Sequence, residues 1–304
     1  MGSIMTVLAN GFLRSKRNKG RILRYCNTQC SEIDVAHGTA RMLVAPANLT
    51  MNNVTDGTSA AVSYDATVGS YVDVNLNQHL YTIFGYAEIA NCLDKGRSLD
   101  ALMEGRLTSM FNTVEGLIAT LGSTFSTNQG GTINSALTET VYDAARTAII
   151  NAQVPDAEAL HAFYAPGTNS WVAMTNLANF HEYRITGRQD PHVAQDFGTD
   201  ASGGIWWKSA YHHESQNVVA STVSGVSGHA NFLFHRDAIL VAMVDMALPR
   251  SPGVEAANFR DSDSGISFQI KRYWDKDLDA DMVKIDCLLG LSKGRDEWGA
   301  LLLS

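Results

Sequence analysis

From position 99 to position 121 apolar residues recur every three or four places: Leu99, Leu102, Met103, Leu107, Met110, Phe111, Val114, Leu117, Ile118 and Leu121. That 3.6-residue period predicts an amphipathic helix. Ser98 ahead of it is a good N-cap, and Gly122 behind it suits a C-terminal cap. About 24 residues at 1.5 Å each extend ~36 Å, more than a compact domain of this size needs, so the helix is a candidate spine. A second helix is predicted around Leu137, Val141, Ala145, Ala148 and Ile149, ahead of Pro155. A short one starts at Thr168 to Ser170, and another is predicted from Asp237 to Met246.

A different period governs other stretches. Val72, Val74 and Leu76 alternate with Asp73, Asn75 and Asn77, which predicts a half-buried strand continuing through HLYTIFGY. LHAFYA, Ile205 to Tyr211 and Phe232 to Phe234 also read as strands, and GISFQIKRYW and MVKIDCLLG as a hairpin across the Asp-rich turn Asp275 to Asp281. Residues 41 to 76 form two extended limbs around Thr55-Asp56-Gly57-Thr58. Asp-Gly favours a two-residue hairpin turn because both central positions need positive φ. These limbs carry Asn52, Asn53, Ser59, Ser63 and Asp65 and little apolar surface. A lone hairpin is marginal in water, so this one is expected to lie against something else, such as another subunit. Residues 186 to 204, rich in Gly, Asp, Gln and Thr, read as a long loop. Strands and helices mixed without regular βαβ alternation predict an α+β fold.

Composition adds three points. In 304 residues, 45% apolar content suffices for sizeable cores, and length alone suggests about two domains. No apolar run approaches the ~18 residues that span a bilayer, and the apolar start precedes its positive charges, unlike a secretory signal; the expectation is a protein kept in the cytoplasm, with no membrane partner. The net charge of -8 is unevenly placed. Arg14, Lys16, Arg17, Lys19, Arg21 and Arg24 all precede the first acid, Glu32, while the rest holds 17 basic and 31 acidic residues, a balance of -14. A basic arm on an acidic body suits nucleic acid or a neighbouring subunit.

Candidate chemistry mostly dissolves on inspection. His235-Arg236-Asp237 and Asp196-Phe197-Gly198 match two kinase triplets, but in the wrong order. Ala242 stands where the catalytic-loop Asn belongs, and there is no Gly-rich phosphate loop. His229 and His235 are too far apart on a strand to share an ion, and His212 and His213 point to opposite faces. Asp275, Asp277 and Asp279 imitate a calcium loop, but Ala280 replaces its required Gly and Asp286 its bidentate Glu. Cys26, Cys30, Cys92 and Cys287 lack structural-zinc spacing. The expectation is no catalytic residue, no cofactor and no metal site.

The segments Phe234-His235-Arg236-Asp237-Ala238, GISFQIKRYWDKD, VKIDCLLG and the final RDEWGALLL resemble the closing part of tailed-bacteriophage major capsid proteins, whose fold also occurs in herpesvirus shells and encapsulins. The upstream order agrees: basic arm, extended hairpin, strand, long helix. The resemblance implies a major capsid subunit that self-assembles into hexamers and pentamers of an icosahedral shell around double-stranded DNA, located in the virion and made in the host cytoplasm. It implies an arm over residues 1–40, an extended loop over 41–70, a peripheral domain over 71–130 with the spine helix, an axial domain over 131–254, and the peripheral C-terminal strands over 255–304. Arg14, Lys16, Arg17, Lys19, Arg21 and Arg24 would then touch a neighbour or DNA, and Asp56 and Gly57 would form the loop tip. Scaffolding, portal and possible decoration proteins are the implied partners. Some relatives crosslink an extended-loop lysine to a neighbour's asparagine, but residues 42 to 94 contain no lysine, so no such crosslink is expected. Two alternatives stand beside this reading: an encapsulin-like compartment, and a DNA-binding protein acting through its basic arm.

Overall fold

The computed structural model describes residues 22–34, 38–44, 70–85, 99–155, 160–177, 205–223, 225–250, 253–260 and 267–304. Three sheets account for all their strands. The small one is antiparallel: β1 (Cys30–Asp34), β2 (Thr39–Val44) and β3 (Ser70–Asn75). The second joins β4 (Gln78–Gly85), β11 (Ile239–Val244), β12 (Glu255–Arg260), β13 (Ser267–Asp275) and β14 (Ala280–Lys293). Its centre is the 14-residue β14, which has β4 on one edge and β13 followed by β11 on the other. The third, seven-stranded and mixed, runs β5 (Gln129–Gly131), β15 (Gly299–Leu303), β10 (Val226–His235), β6 (Leu160–Tyr164), β8 (Ala210–Glu214) and β7 (Ile205–Trp207), with β9 (Ala220–Val223) paired to β10.

The long helix is where its periodicity put it: α1 (Leu99–Gly122) has 24 residues. Met110, Phe111, Val114, Ile118 and Ala119 are buried, and the helix lies across β4, β11 and β14. Gly122 is not a left-handed cap. A Cβ there would sit 2.9 Å from the ring of buried Phe232, so a glycine lets β10 approach the helix end. Helix α2 (Glu139–Asn151) opens with Thr138, whose hydroxyl accepts from Val141 N, and buries Tyr142, Ala145 and Ile149. The short α3 spans Trp171–Thr175.

Strand alternation divides the core. On β10, Ala230, Phe232 and Phe234 face the large core shared with α1 and the five-stranded sheet, whereas Leu233 faces the smaller core under α2 with Leu160, Tyr164 and Trp207. The seven-stranded sheet is thus covered on both faces. Fastening at the junction is polar. Asp296 accepts from Thr127 N (2.9 Å), Thr127 Oγ1 (2.6 Å), Ser126 Oγ (3.1 Å) and Lys293 Nζ (2.8 Å). Burial pushes that carboxyl's pKa up, but these bonds outweigh it and hold it well below the ordinary range.

Three expectations need correction. Residues 237–246 do not form a helix; after a single tight turn, Arg236–Ala238, the chain enters β11. Ile239 to Val244 is a continuous apolar run buried on both faces, which periodicity cannot distinguish from a buried helix. The strand expected to run on from Val72 breaks at Leu76–Asn77, where Leu76 N donates to Gly38 O, and β3 and β4 enter different sheets. Ile205 to Tyr211 is a tight hairpin, not one strand. Its Lys208 and Ser209 have φ of 48° and 61°, unfavourable without glycine. Lys208 Nζ lies 2.6 Å from both Glu139 and Asp143 of α2, which ties down the turn.

Candidate assembly site

Among the expected contact residues, Arg14, Lys16, Arg17, Lys19, Arg21, Asp56 and Gly57 lie outside the described residues, as does the loop 186–204. Arg24 is described: it is exposed, in the 3-10 turn Leu23–Tyr25. The structure places the described ends of the expected arm and extended loop, called the arm root and the loop root below, and it brings them together.

The arm root is seated on α1. Glu115, 1% exposed, accepts from Ile22 N (2.9 Å) and Leu23 N (3.0 Å), and both of those side chains are buried. Cys26 donates to Ile22 O, and burial, reinforced by the charge of Glu115, pushes its thiol well up. Asn27 then ties three segments. Its backbone N–H donates to Arg236 O and Ile239 O, its carbonyl accepts from Val241 N, and its Nδ2 donates to Leu43 O (3.2 Å) and Asp237 Oδ1 (2.8 Å). The His-Arg-Asp triplet thus has a local job. The His235 ring accepts from Asp237 N, and the Asp237 carboxylate holds the arm root beside β2 and β11.

The loop root is β2 paired with β3, in register from Thr39 opposite Asn75 to Val44 opposite Ser70. The chain therefore leaves at Val44 and returns at Ser70 to one place. Ala40, Met42, Val44 and Val74 are buried, while the other face shows Arg41 paired with Asp73 (3.1 Å) and Leu43 opposite Tyr71. Leu43 and Tyr71 are each about half exposed, a cross-strand apolar pair left open to solvent. The small sheet sits close on β14: a Cβ on Gly290 would be 2.4 Å from Asn75 O.

The histidines serve packing. His212 is fully buried among Tyr142, Tyr164 and Trp207, with Nδ1 3.1 Å from Tyr164 Oη and Nε2 3.1 Å from Trp207 O. Burial lowers its pKa from 6.5 to about 3, partly opposed by the Trp207 carbonyl, so the ring is neutral. His213, one residue on, faces the other way and stacks on Phe163 and near Tyr25. Asp275 accepts from Asp277 N and Leu278 N, a polar turn between strands. Among the described residues no group of three His, Cys, Asp or Glu side chains is placed to hold a metal ion, and no helix is long and apolar enough to cross a membrane. Cys26 and Cys287 are buried free thiols, the latter's pKa pushed up to about 12 by burial and then by Asp286.

A second cluster lies on the face of the five-stranded sheet away from α1. Asp286 is fully buried, with Lys284 Nζ at 2.8 Å, His79 Nε2 at 2.9 Å and Lys271 Nζ at 3.0 Å. Burial pushes its carboxyl up, yet the bonds from Lys284 and Lys271 win and hold it below the ordinary value. Sequence reasoning missed Glu115, Asn27 and this group. Glu115 had left a trace, a carboxylate between Val114 and Ile118 on the apolar stripe; Asn27 had left none.

No protein-family model matches the chain, and no curated protein does. Solved structures match in shape. The capsid structure of the cyanophage P-SCSP1u superposes with a TM-score of 0.53 and 10% identity, over 92% of this chain and 86% of that one. The head structure of the Helicobacter pylori bacteriophage KHP40 gives 0.50 and 13% identity, over 94% and 90%. Identities this low speak to the fold alone. Superposition over nearly the whole of both chains gives this chain the phage major-capsid fold.

Proposed function

We propose that this chain is a major capsid subunit that assembles into hexamers and pentamers of an icosahedral shell enclosing double-stranded DNA, with no catalytic role. The observation that carries the reading is the loop root. A well-packed base, fixed by Asn27 and β14, sets Val44 opposite Ser70 and leaves Leu43 and Tyr71 open beside it. The residues between them, polar in sequence, offer little to a monomer's core and gain by lying on a neighbour. Head-to-tail contacts of this kind close into rings, and many modest contacts per subunit hold a shell. On this reading the five-stranded sheet with α1 is the peripheral domain and the sheet of β6, β8 and β10 the axial one. The chain crosses between them from β10 into β11 and from β14 into β15. The arm residues Arg14 to Arg24 meet a neighbour or DNA, and scaffolding, portal and decoration proteins are the further partners. Negative-stain microscopy of the purified protein tests this: closed shells are expected, and uniform monomers or dimers under all conditions would overturn it. Shells of native origin that hold protein cargo and no nucleic acid would favour the encapsulin-like compartment.

A further inference from the structure

We propose that the face of the five-stranded sheet opposite α1 carries, beyond the part that the small sheet covers at Gly290, a phosphate-binding site, built by Lys271, Lys284 and His79 around Asp286, that takes the phosphodiester backbone of duplex DNA; this rests on the shell reading above. Lys271 on β13 and Lys284 on β14 are direct cross-strand partners. Both ammonium groups converge on Asp286, which lies fully buried beneath them, while the lysine side chains remain 20–23% exposed. The anion is therefore below and the cations are above. Each ammonium has three N–H donors, so one contact to Asp286 leaves others for a ligand arriving from solvent. Lys284 also stands 4.6 Å over the ring of Tyr81, which is 60% exposed, and this limits its swing. Two lysines against one carboxylate leave a surplus of one positive charge.

That surplus stands out on this chain, whose residues beyond Arg24 carry a balance of -14. Fixed cations cost a ligand less than mobile surface lysines, because their rotamers are already ordered. The shape selects the ligand class. Strand β14 is paired on both edges, with β4 on one side and β13 and β11 on the other, and β13 is paired with β14 and β12. Among the described residues, the strands of Lys271 and Lys284 thus have no free edge for an acidic peptide to add to; the edge strand of the site is β4, which pairs with β14 alone. A cation pair beside an exposed aromatic ring fits a sequence-independent phosphate backbone.

The test is anisotropy of a short fluorescent DNA duplex with the full-length, unassembled chain across a salt series. A variant with the six arm bases changed to Gln isolates the sheet. It is expected to keep binding, with log affinity falling against log salt with a slope of about -2 for two contacted phosphates. Adding K271Q, K284Q and D286N together removes the surplus without stranding a buried carboxylate, and is expected to abolish that binding. K271Q alone leaves Lys284 and His79 on Asp286, and should reduce the slope by about one, so the idea stays testable if the triple change fails to fold. An arm-neutralised chain that does not bind DNA, or sheet variants with unchanged slopes, would overturn the proposal. Polyglutamate competing as well as DNA of equal charge would overturn it too, in favour of an acidic protein partner. Microscopy separates the two readings: shells with unchanged slopes sink this site alone, whereas absent wild-type shells sink the shell.

Discussion

The Glu115→Ala substitution is the most informative single change, because one buried carboxylate holds both Ile22 and Leu23 at the arm root. Its two oxygens accept from Ile22 N and Leu23 N at 2.9 and 3.0 Å, and none of the three residues is appreciably exposed. Hydrogen bonds to a charged acceptor contribute about 1.5–3 kcal/mol each, and orphaned buried amides cost about 1–3 kcal/mol each. Against this, deleting Glu115 relieves the cost of holding a charge out of water. The balance is a loss of about 3 kcal/mol, a roughly hundredfold shift toward an unseated root. The loss is local, because α1 keeps its contacts through Phe111, Val114 and Ile118. Hydrogen exchange reads it directly: protection of the Ile22 and Leu23 amides should fall about a hundredfold while core amides of β10 and β14 stay unchanged. Glu115→Gln, which keeps one acceptor oxygen, should fall between wild type and Ala. Unchanged protection at Ile22 and Leu23 in Glu115→Ala would refute the seating argument.

Three further changes test other parts of the structure. Gly290→Ala forces a Cβ to 2.4 Å from Asn75 O, a backbone atom that cannot rotate away, so a loss of at least 1–3 kcal/mol is expected in urea denaturation, with the small sheet loosened first. His212 has its pKa lowered to about 3 in the fold, so the unfolded chain binds the extra proton between about pH 6.5 and 3. Stability should therefore fall with pH across that window by up to about 1.4 kcal/mol per unit. Asp286 and Asp296, whose pKa values are lowered, lose their contribution only below the ordinary carboxylate value of 3.8, so they add nothing to the slope between pH 6.5 and 4.5, and His212→Gln should reduce it there. Asp237→Ala removes the charged partner of Asn27 Nδ2 and should cost about 1.5–3 kcal/mol in urea denaturation.

Periodicity fixed the parts of this fold that repeat. The stripe from Leu99 to Leu121 defined α1, and alternation marked β3, because each exposes one face and buries another. The same signal failed where burial is two-sided. Ile239 to Val244 has no polar face to betray its period, so only pairing with β14 makes it a strand. Turn chemistry failed at Lys208 and Ser209 for a related reason: contacts to Glu139 and Asp143, over sixty residues away, hold φ values that local preference disfavours.

The candidate site divides along the same line. Charge order along the chain gave the expectation of a basic arm before Glu32, and polar composition that of a loop with no core of its own; both rest on one-dimensional properties of the sequence. Where the arm is seated and the loop is rooted could not be read that way. Glu115 meets Ile22 across 93 positions, Asn27 meets Asp237 across 210, and His79 meets Asp286 across 207. Partners so distant are chosen by sheet register and by helix packing, and only the folded chain brings them within bonding distance.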